Sequence, residues 1–567
     1  MTLNHLGLLY ASDAYASSSR KMGRQQSGVG LLSAMLRFCP CDRLPVVAPR
    51  DHDLSGLQQA HALHRPTLKL NVWPLDKLDR IQGLDSLLVS DPVLSRWADY
   101  RRWHSMGAKA FSLIGITHTL STLGVLKGLL NFPSSDLYPW DGLICTSRCA
   151  REAVDHVFEF EGMRLAQRFG GSFHNWKLPQ RPVIPLGCDL DRFKALSKLS
   201  AFHDSRKFLG LCKDRFVVLC VGRLEIHSKS HPGVLLQALA RVVQQQRNSS
   251  DPSFLPCLLV LGTAQSSETM LLWKQVKDYF SSFFELRLLD GNDENLTDYA
   301  WSSADIFVTL ADSLQETLGL TPIEAMARAL PVIASDWNGY RDSVVHMVTG
   351  FLIPTSQPGH NAPQRLAELA MGRLNHNSFM ADLMQQVVVE EDALVFALQQ
   401  LVANSSLRKR MGEAGRQRAE EFYDWSTIIN QFFDFSKVLT NSRLHYDSSM
   451  IFDMSILSPW RQFKNWASST HSSTNIISWN QSRLSQRLTD QQNLDIYSLY
   501  SIRAESDLKM TALEPLILYL QKVSLDNQQV FSIKKSELYE EMPHIHQSDI
   551  DHALSWLSKL GAVELLP

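Results

Sequence analysis

Short apolar runs alternate with longer amphipathic segments through the first part of the chain. The short runs predict strands, and the segments between them predict helices. A glycine-containing loop is predicted from Gly23 to Gly30, followed by a helix over about 31–37. The predicted strands lie at 5–10, 45–48, 84–89, 111–116 and 140–146. Alternation of this kind favours a parallel sheet covered by helices.

The same pattern starts again near Phe216. Further strands are predicted at 216–222, 257–261, 306–310 and 331–334, with helices at about 234–245 and 404–422. In parallel α/β sheets the carboxyl ends of the strands form the binding edge. The sequence therefore predicts an α/β protein with two Rossmann-like domains.

The composition changes after about residue 440, where Ser, Asn and Gln dominate and Trp460, Trp466 and Trp479 are scattered. Residues 441–504 are interpreted as a linker that docks locally through these aromatic rings. Residues 505–567 again show helical periodicity, and three helices followed by a strand predict a small, mainly α C-terminal module. Residues 501–567 carry a net charge of −4, which argues against a nucleic-acid-binding face and favours a protein partner.

The whole chain has 567 residues, 44% hydrophobic residues and a formal net charge of −2. These values indicate a multidomain globular protein with no general preference for nucleic acid. No apolar run approaches the ~18 residues of a membrane span, and the N-terminus lacks a basic start, so we expect a cytoplasmic protein. The eight cysteines are scattered without zinc-site spacing, so we expect core thiols and no structural metal.

The segment from Gln315 to Pro331, QETLGLTPIEAMARALP, carries the most specific chemistry. Glu316 follows a predicted strand, a turn with Gly319 comes next, and Glu324 lies in the helix after it. A helix N-terminus beside such a turn can bind an anion, and the two carboxylates can accept hydrogen bonds from sugar hydroxyls. Phosphate together with a polyol is typical of a sugar nucleotide.

A structural interpretation of the same residues stays open. Thr321-Pro322-Ile323-Glu324 has the form of a capping box, in which Thr321 is the cap, Pro322 takes the first helical position and Glu324 reaches back. On the motif alone this interpretation is at least as good as the binding one.

The span from Ser303 to Thr355 resembles the donor-binding core of glycosyltransferase family 4. Members of this family are retaining enzymes of the GT-B fold, and the resemblance extends over about residues 1–435. One position departs from the family pattern: Ala329, preceded by Arg328, stands where the family has glycine before Leu-Pro. Since a helix C-terminus favours glycine in the left-handed region, the alanine predicts a slightly different helix end.

The resemblance implies a role for each matched residue. Arg223 and Lys229 would contact the donor phosphates, Glu324 the ribose hydroxyls and Glu316 the hexose. The remaining matches are the backbone N–H groups of Leu318, Gly319 and Leu320 near the diphosphate or sugar, His118 near the donor sugar, and Gly28 and Gly30 near the diphosphate and acceptor. Without the resemblance, Arg223 and Lys229 would be exposed loop charges and His118 a satisfied core or loop residue. Glu316, His118 and Arg223 are the predicted catalytic group.

The family uses cations and a helix dipole in place of a metal, so no cofactor is expected beyond the nucleotide-sugar donor. Asp189-Leu190-Asp191 matches a domain-joining turn of the family and not a metal site. The implied reaction is transfer with retention, by front-face attack assisted by the leaving phosphate. The acceptor would be a growing polysaccharide, a lipid-linked glycan or a protein, with peripheral membrane contact for a lipid-linked one.

The implied domain limits are 1–190 for the N-terminal domain, completed by about 426–440, and 191–425 for the donor-binding domain. Residues 505–567 resemble a winged-helix module. Two other functions remain open: a nucleotide-sugar epimerase of the same fold, and an inactive GT-B scaffold that binds a partner.

Overall fold

The protein was analysed as a computed structural model, which divides into two compact units, residues 1–451 and 452–567. The structure describes residues 5–15, 23–49, 53–75, 77, 81–102, 104, 106–173, 176–191, 193, 199–225, 229–249, 251–264, 266–359, 363–447, 451, 462–463, 465–466, 472–480, 482–483, 512–526, 531–559 and 561–566. Trp460, named above in the linker, lies outside these residues. None of the described helices is long and apolar enough to cross a membrane.

The first sheet has six parallel strands in the order β3-β2-β1-β4-β5-β6. They are β1 Leu6–Leu9, β2 Arg43–Ala48, β3 Lys69–Pro74, β4 Ser86–Val89, β5 Ser112–Ile116 and β6 Gly142–Ile144. The middle strands are buried along their whole length, as expected for a sheet covered on both faces.

In the described part of the chain, five helices and the short 3₁₀ turns Gly107–Lys109 and Phe132–Ser134 lie between these strands, and a sixth helix follows β6. The helices are α1 Ser12–Tyr15, α2 Gly23–Phe38, α3 Ser55–His64, α4 Ser95–Arg101, α5 Leu123–Leu130 and α6 Arg148–Phe169. Since α2 begins at Gly23, the prediction of a loop from Gly23 to Gly30 was wrong. The reason lies in packing: a Cβ at Gly28 would collide with the carbonyl oxygen of Ala14, so glycine permits close contact with α1.

A fully buried ion pair joins the amino ends of β5 and β6. The guanidinium of Arg101 donates to both oxygens of Asp141, at 2.5 and 2.8 Å. Asp141 also accepts the backbone N–H of Leu113 and of Tyr138, at 2.8 and 2.9 Å. The desolvated charges are therefore paired and hydrogen-bonded, which a buried ion pair requires.

The second sheet also has six parallel strands, in the order β12-β11-β10-β7-β8-β9. Its strands are β7 Val217–Val221, β8 Cys257–Gly262, β9 Glu285–Asp290, β10 Ile306–Thr309, β11 Val332–Ser335 and β12 Gly350–Ile353. A separate antiparallel pair is formed by β13 Thr355–Ser356 and β14 Val388–Val389.

The helices of this half follow or flank its strands. They are α7 Leu199–Phe208, α8 Gly233–Ser249, α9 Ser267–Phe280, α10 Glu294–Ser303, α11 Leu320–Ala327, α12 Tyr340–Ser343, α13 Pro363–Ala370, α14 His376–Met384, α15 Glu391–Ala403 and α16 Ser405–Phe422. The predicted α/β class with two Rossmann-like domains is confirmed.

One long helix, α17 Trp425–His445, returns to the first domain. Ser436 Oγ on α17 donates to Ser86 Oγ on β4 at 2.7 Å, and a Cβ at Gly142 on β6 would collide with the ring of Phe435. The chain therefore crosses between the two domains a second time and packs against the first sheet.

The C-terminal unit has its own apolar core around a three-stranded antiparallel sheet. Its order along the chain is β15 Ile476–Trp479, α18 Leu513–Asp526, β16 Phe531–Lys534, α19 Lys535–Glu541, α20 Gln547–Lys559 and β17 Val563–Leu566. The middle strand, β15, lies within 441–504, the range interpreted as a linker, and Trp479 at its end is fully buried. The unit thus draws its central strand from upstream of residue 505.

Candidate active site

A cavity of about 550 Å³ lies between the two Rossmann-like domains. The first domain contributes Ser27 and the segment 117–119, which follows β5. The second domain contributes the residues after β7 and the loop between β10 and α11. The predicted site residues that line the cavity are His118, Arg223, Lys229, Glu316, Leu318, Gly319, Leu320 and Glu324. Both domains therefore contribute predicted residues to one space.

Gly28 and Gly30 are not part of this lining, although Ser27 beside them is. Gly28 packs on α1, and a Cβ at Gly30 would contact the ring of Trp425 at 3.2 Å. Both glycines thus have a packing role, Gly28 against α1 and Gly30 against the start of α17.

Glu316 and Lys229 form an ion pair at the cavity wall, with the Lys229 ammonium donating to Glu316 Oε2. Burial alone would lower the pKa of Lys229, but the charge and hydrogen bond of Glu316 together with the nearby Tyr340 outweigh it, and the pKa is raised. Lys229 therefore carries its charge at neutral pH.

The phenol of Tyr340 lies beneath this pair. Tyr340 is fully buried, its hydroxyl lies 3.1 Å from Thr309 Oγ1, and burial raises its pKa. A Cβ at Gly319 would collide with the Tyr340 ring, and Gly319 itself has φ = 76°, a conformation that favours glycine. The turn before α11 therefore depends on Gly319.

Helix α11 begins at Leu320, with Gly319 as its N-cap. Thr321 and Glu324 are then its second and fifth residues, so the capping-box interpretation was wrong. Thr321 Oγ1 is buried and makes no hydrogen bond to any described residue. The first turn of α11 instead faces the cavity, where its backbone N–H groups and the helix dipole favour an anion.

The C-terminus of α11 also differs from the prediction. Ala329 has φ = 57°, which is the left-handed conformation that glycine usually provides. The N–H of Leu330 bonds to the carbonyl of Ala325, and the N–H of Ala329 bonds to that of Met326, as in a Schellman motif. The helix end is therefore the ordinary one, and the alanine is strained within it.

Arg223 follows β7 at the sheet edge, and its Nη2 donates to Gln315 Oε1 at 3.3 Å. Gln315 Nε2 lies 3.1 Å from His376 Nε2 at the start of α14, and burial lowers the pKa of His376. These hydrogen bonds, from His376 through Gln315, orient Arg223 beside the Glu316–Lys229 pair. The roles of Gln315 and His376 could not be predicted from the sequence, because their contact joins elements far apart in the chain.

Arg328 forms part of the cavity wall near Glu324. Its guanidinium lies over the rings of Phe193 and Trp301, 3.7 and 4.6 Å from their centroids. Stacking on two aromatic faces stabilises a cation in a largely buried place. From the sequence, Arg328 was noted only as the residue before Ala329, the position that departs from the family pattern.

Asp312 follows the end of β10, and its carboxyl group is also buried. Its Oδ2 accepts the backbone N–H of His231 at 3.3 Å, and burial raises its pKa to about 6. It therefore titrates in the slightly acidic range.

Comparison with known proteins finds similarity over part of the chain. Residues 202–368 match the model of the glycosyl transferases group 1 family. The matched region holds the parts of the cavity contributed by the second sheet, from Arg223 to Arg328.

Two curated relatives match parts of the chain. The D-inositol 3-phosphate glycosyltransferase of Geodermatophilus obscurus is 30% identical over 268 residues, which is 46% of this chain and 55% of that protein. The phosphatidyl-myo-inositol mannosyltransferase of Mycobacterium tuberculosis is 26% identical over 248 residues, which is 44% of this chain and 51% of that protein. The chain thus spans about half the length of each of these relatives.

Among solved structures, Anabaena Alr3699/HepE in complex with UDP is similar over 77% of this chain and 100% of that chain. The TM-score is 0.51 and the sequence identity 16%, so the similarity concerns the fold. The two facing Rossmann-like domains and the group 1 domain together give the chain a GT-B fold.

Proposed function

We propose that the protein is a retaining glycosyltransferase that moves a sugar from a nucleoside-diphosphate sugar to a glycan, lipid-linked or protein acceptor. The observation that carries this proposal is the single cavity in which Arg223, Lys229, Glu316 and Glu324 meet the first turn of α11. Cations, free backbone N–H groups and carboxylates are the groups that bind a diphosphate joined to two sugars.

In this proposal Arg223 and Lys229 stabilise the charge that develops on the leaving diphosphate, and no metal ion is needed. Lys229 already pairs with Glu316, so an incoming phosphate competes with Glu316 for the ammonium. Once Lys229 has moved to the phosphate, Glu316 is able to accept a hydrogen bond from a hydroxyl of the donor sugar.

Glu324 accepts hydrogen bonds from the ribose hydroxyls, and the N–H groups of Leu318 to Leu320 face the diphosphate. His118 reaches the donor sugar from the opposite domain. Retention then follows from front-face attack, in which the leaving phosphate oxygen takes the proton of the acceptor hydroxyl.

The names of the two relatives both state an inositol-based acceptor. An inositol-bearing acceptor is therefore first among the candidates, before free glycans and proteins. We also propose that the protein is located in the cytoplasm. The acidic C-terminal unit is proposed to be a winged-helix-like module that binds a protein partner.

Release of nucleoside diphosphate from UDP-, GDP-, ADP- and dTDP-sugars tests the proposal, with inositol 3-phosphate and phosphatidylinositol as acceptors. We expect one donor to be consumed, the product to keep the anomeric configuration by NMR, and full activity in excess EDTA. Activity restored only by manganese or magnesium would contradict the metal-free mechanism. Conversion of a donor to its epimer would indicate an epimerase, and binding without turnover an inactive scaffold.

A further inference from the structure

The start of helix α6 in the first domain contacts the loop of the second domain that carries Glu316. Ser147, the N-cap of α6, accepts the N–H of Ala150 at 3.1 Å and donates its hydroxyl to the carbonyl oxygen of Thr317 at 2.6 Å. Thr317 lines the cavity and directly follows Glu316. A side chain of one domain therefore holds the backbone next to a carboxylate of the other.

The carboxylate of Asp342, in α12 of the second domain, provides another contact. Its Oδ2 accepts the backbone N–H of Arg148 at 2.6 Å, and its Oδ1 accepts Nε of the same residue at 2.5 Å. Arg148 is the first residue of α6, so its N–H has no partner within the helix and the helix dipole favours a negative charge there. The Asp342 side chain is 15% exposed and that of Arg148 69%, so solvent weakens the guanidinium contact more than the backbone contact.

The segment before Asp342 packs on the same loop. Cys149 Sγ lies 3.3 Å from the carbonyl oxygen of Asn338, and a Cβ at Gly339 would collide with the backbone of Thr317 and Leu318. The start of α6 thus contacts two segments of the second domain that also contact each other.

The backbone of Asp342 is fixed within its own domain. Its carbonyl oxygen accepts Arg418 Nη2 at 2.8 Å and the Tyr423 hydroxyl at 3.2 Å. Tyr423 lies just before α17, where the chain crosses back to the first domain, and its carbonyl accepts the N–H of Cys188 at 2.7 Å. Hydrogen bonds therefore connect Asp342 to Tyr423 and, through Tyr423, to Cys188, which lie near the two places where the chain passes between the domains.

We propose that Ser147, Arg148 and Asp342 form an interdomain clasp that holds the cleft closed and positions the Glu316 loop for sugar transfer. None of these three residues lines the cavity, so they act through Thr317 and are positioning residues. The effect on transfer rests on the proposed function, whereas closure of the cleft does not.

The kinetic test compares Asp342→Asn and Ser147→Ala with Arg148→Ala in the full chain. Loss of a charge-assisted hydrogen bond predicts a fall in kcat of about tenfold for Asp342→Asn, with donor KM within about twofold, because the donor contacts lie elsewhere. Arg148→Ala keeps the backbone bond and should lower kcat only about two- to threefold. The matched control is Asp336→Asn, a nearby carboxylate that pairs with Arg341 inside the second domain.

Closure is measured separately by cross-linking, without any sugar donor. Asn338→Cys introduces a thiol in the segment whose backbone contacts the native Cys149, and oxidised glutathione should join the two domains at a rate that follows the closed population. We expect the Asp342→Asn background to slow this cross-link about tenfold, the Asp336→Asn background to leave it unchanged, and Cys149→Ser to abolish it.

An unchanged cross-linking rate in Asp342→Asn would overturn the clasp, whatever happens to activity. A slower cross-link with unchanged kcat would overturn its role in transfer. If the wild-type protein transfers no sugar at all, the proposed function fails and the cross-linking rates alone decide whether the clasp exists.

Discussion

At the scale of single residues, the cavity depends on groups carried by separate elements of the second domain: Arg223 after β7, Glu316 before α11 and Glu324 within α11. The strand pattern places Arg223 and Glu316 at one edge of the second sheet, and Glu324 lies in the helix that follows. Gln315 and Asp342 could not be found in the same way, because each contacts a partner on a distant element. The start of α11 at Leu320 excludes the capping-box interpretation, and the binding role of Glu324 stays a prediction.

Backbone strain at Ala329 gives a prediction of stability. Ala329 and Met347 have φ values of 57° and 62°, which L side chains adopt only with strain. Ala329→Gly and Met347→Gly should each raise the free energy of unfolding by about 0.5–1 kcal/mol. Ala153→Gly on the exposed face of α6 should instead lower it by about 1 kcal/mol. Urea denaturation measures the free energy of unfolding of all three variants. A lower value in both Ala329→Gly and Met347→Gly would contradict the strain at these two positions.

The buried carboxyl of Asp312 predicts a pH dependence of stability. Its pKa of about 6 lies above the unfolded value, so the native state binds more protons between about pH 4 and 6 and loses stability as pH rises through this range. Asp312→Asn should therefore be more stable than the wild type at pH 7.5, by about 1–3 kcal/mol, and equal to it near pH 4. Exposed Asp434→Asn is the control. A constant difference at both pH values would show that Asp312 does not titrate as described.

Secondary-structure elements were predictable where they are buried and regular. The central strands β1, β4, β5, β7 and β10 have continuous apolar runs. The edge strand β3 was missed because its burial pattern is mostly exposed or half-buried, and β15 because it lies in a polar region. The start of α2 was missed because its glycines look like a loop, although close packing on α1 requires one of them.

The position of β15 predicts where the C-terminal unit can be cut. β15 is the middle strand of its sheet, so a fragment of residues 505–567 lacks the strand that pairs with both β16 and β17. We expect a fragment of residues 470–567 to give a cooperative thermal transition and the shorter fragment to give none. Trp479→Ala in the longer fragment should cost about 3–5 kcal/mol. A folded 505–567 fragment would show that β15 is dispensable.

At the scale of the whole molecule, the first unit, residues 1–451, combines two domains whose architecture follows from alternation along the chain. Their arrangement around the cavity could not be derived in this way, since it depends on α17 and on contacts such as Ser147 to Thr317. In the proposed function, the groups assigned to the donor lie mainly on the second domain, whereas His118 lies on the first. Sugar transfer in this account needs both domains together, and donor binding needs chiefly the second.

Donor affinity of Glu324→Ala tests the central claim most directly. Titration calorimetry with the donor selected by the panel should show binding weakened ten- to a hundredfold, because a charged hydrogen-bond acceptor is worth roughly 1.5–3 kcal/mol. Melting temperature should change little, since Glu324 closes no capping box, and Glu159→Ala on the exposed surface of α6 should change neither quantity. Unchanged donor affinity in Glu324→Ala, with wild-type folding, would contradict the assignment of this cavity to a nucleotide sugar.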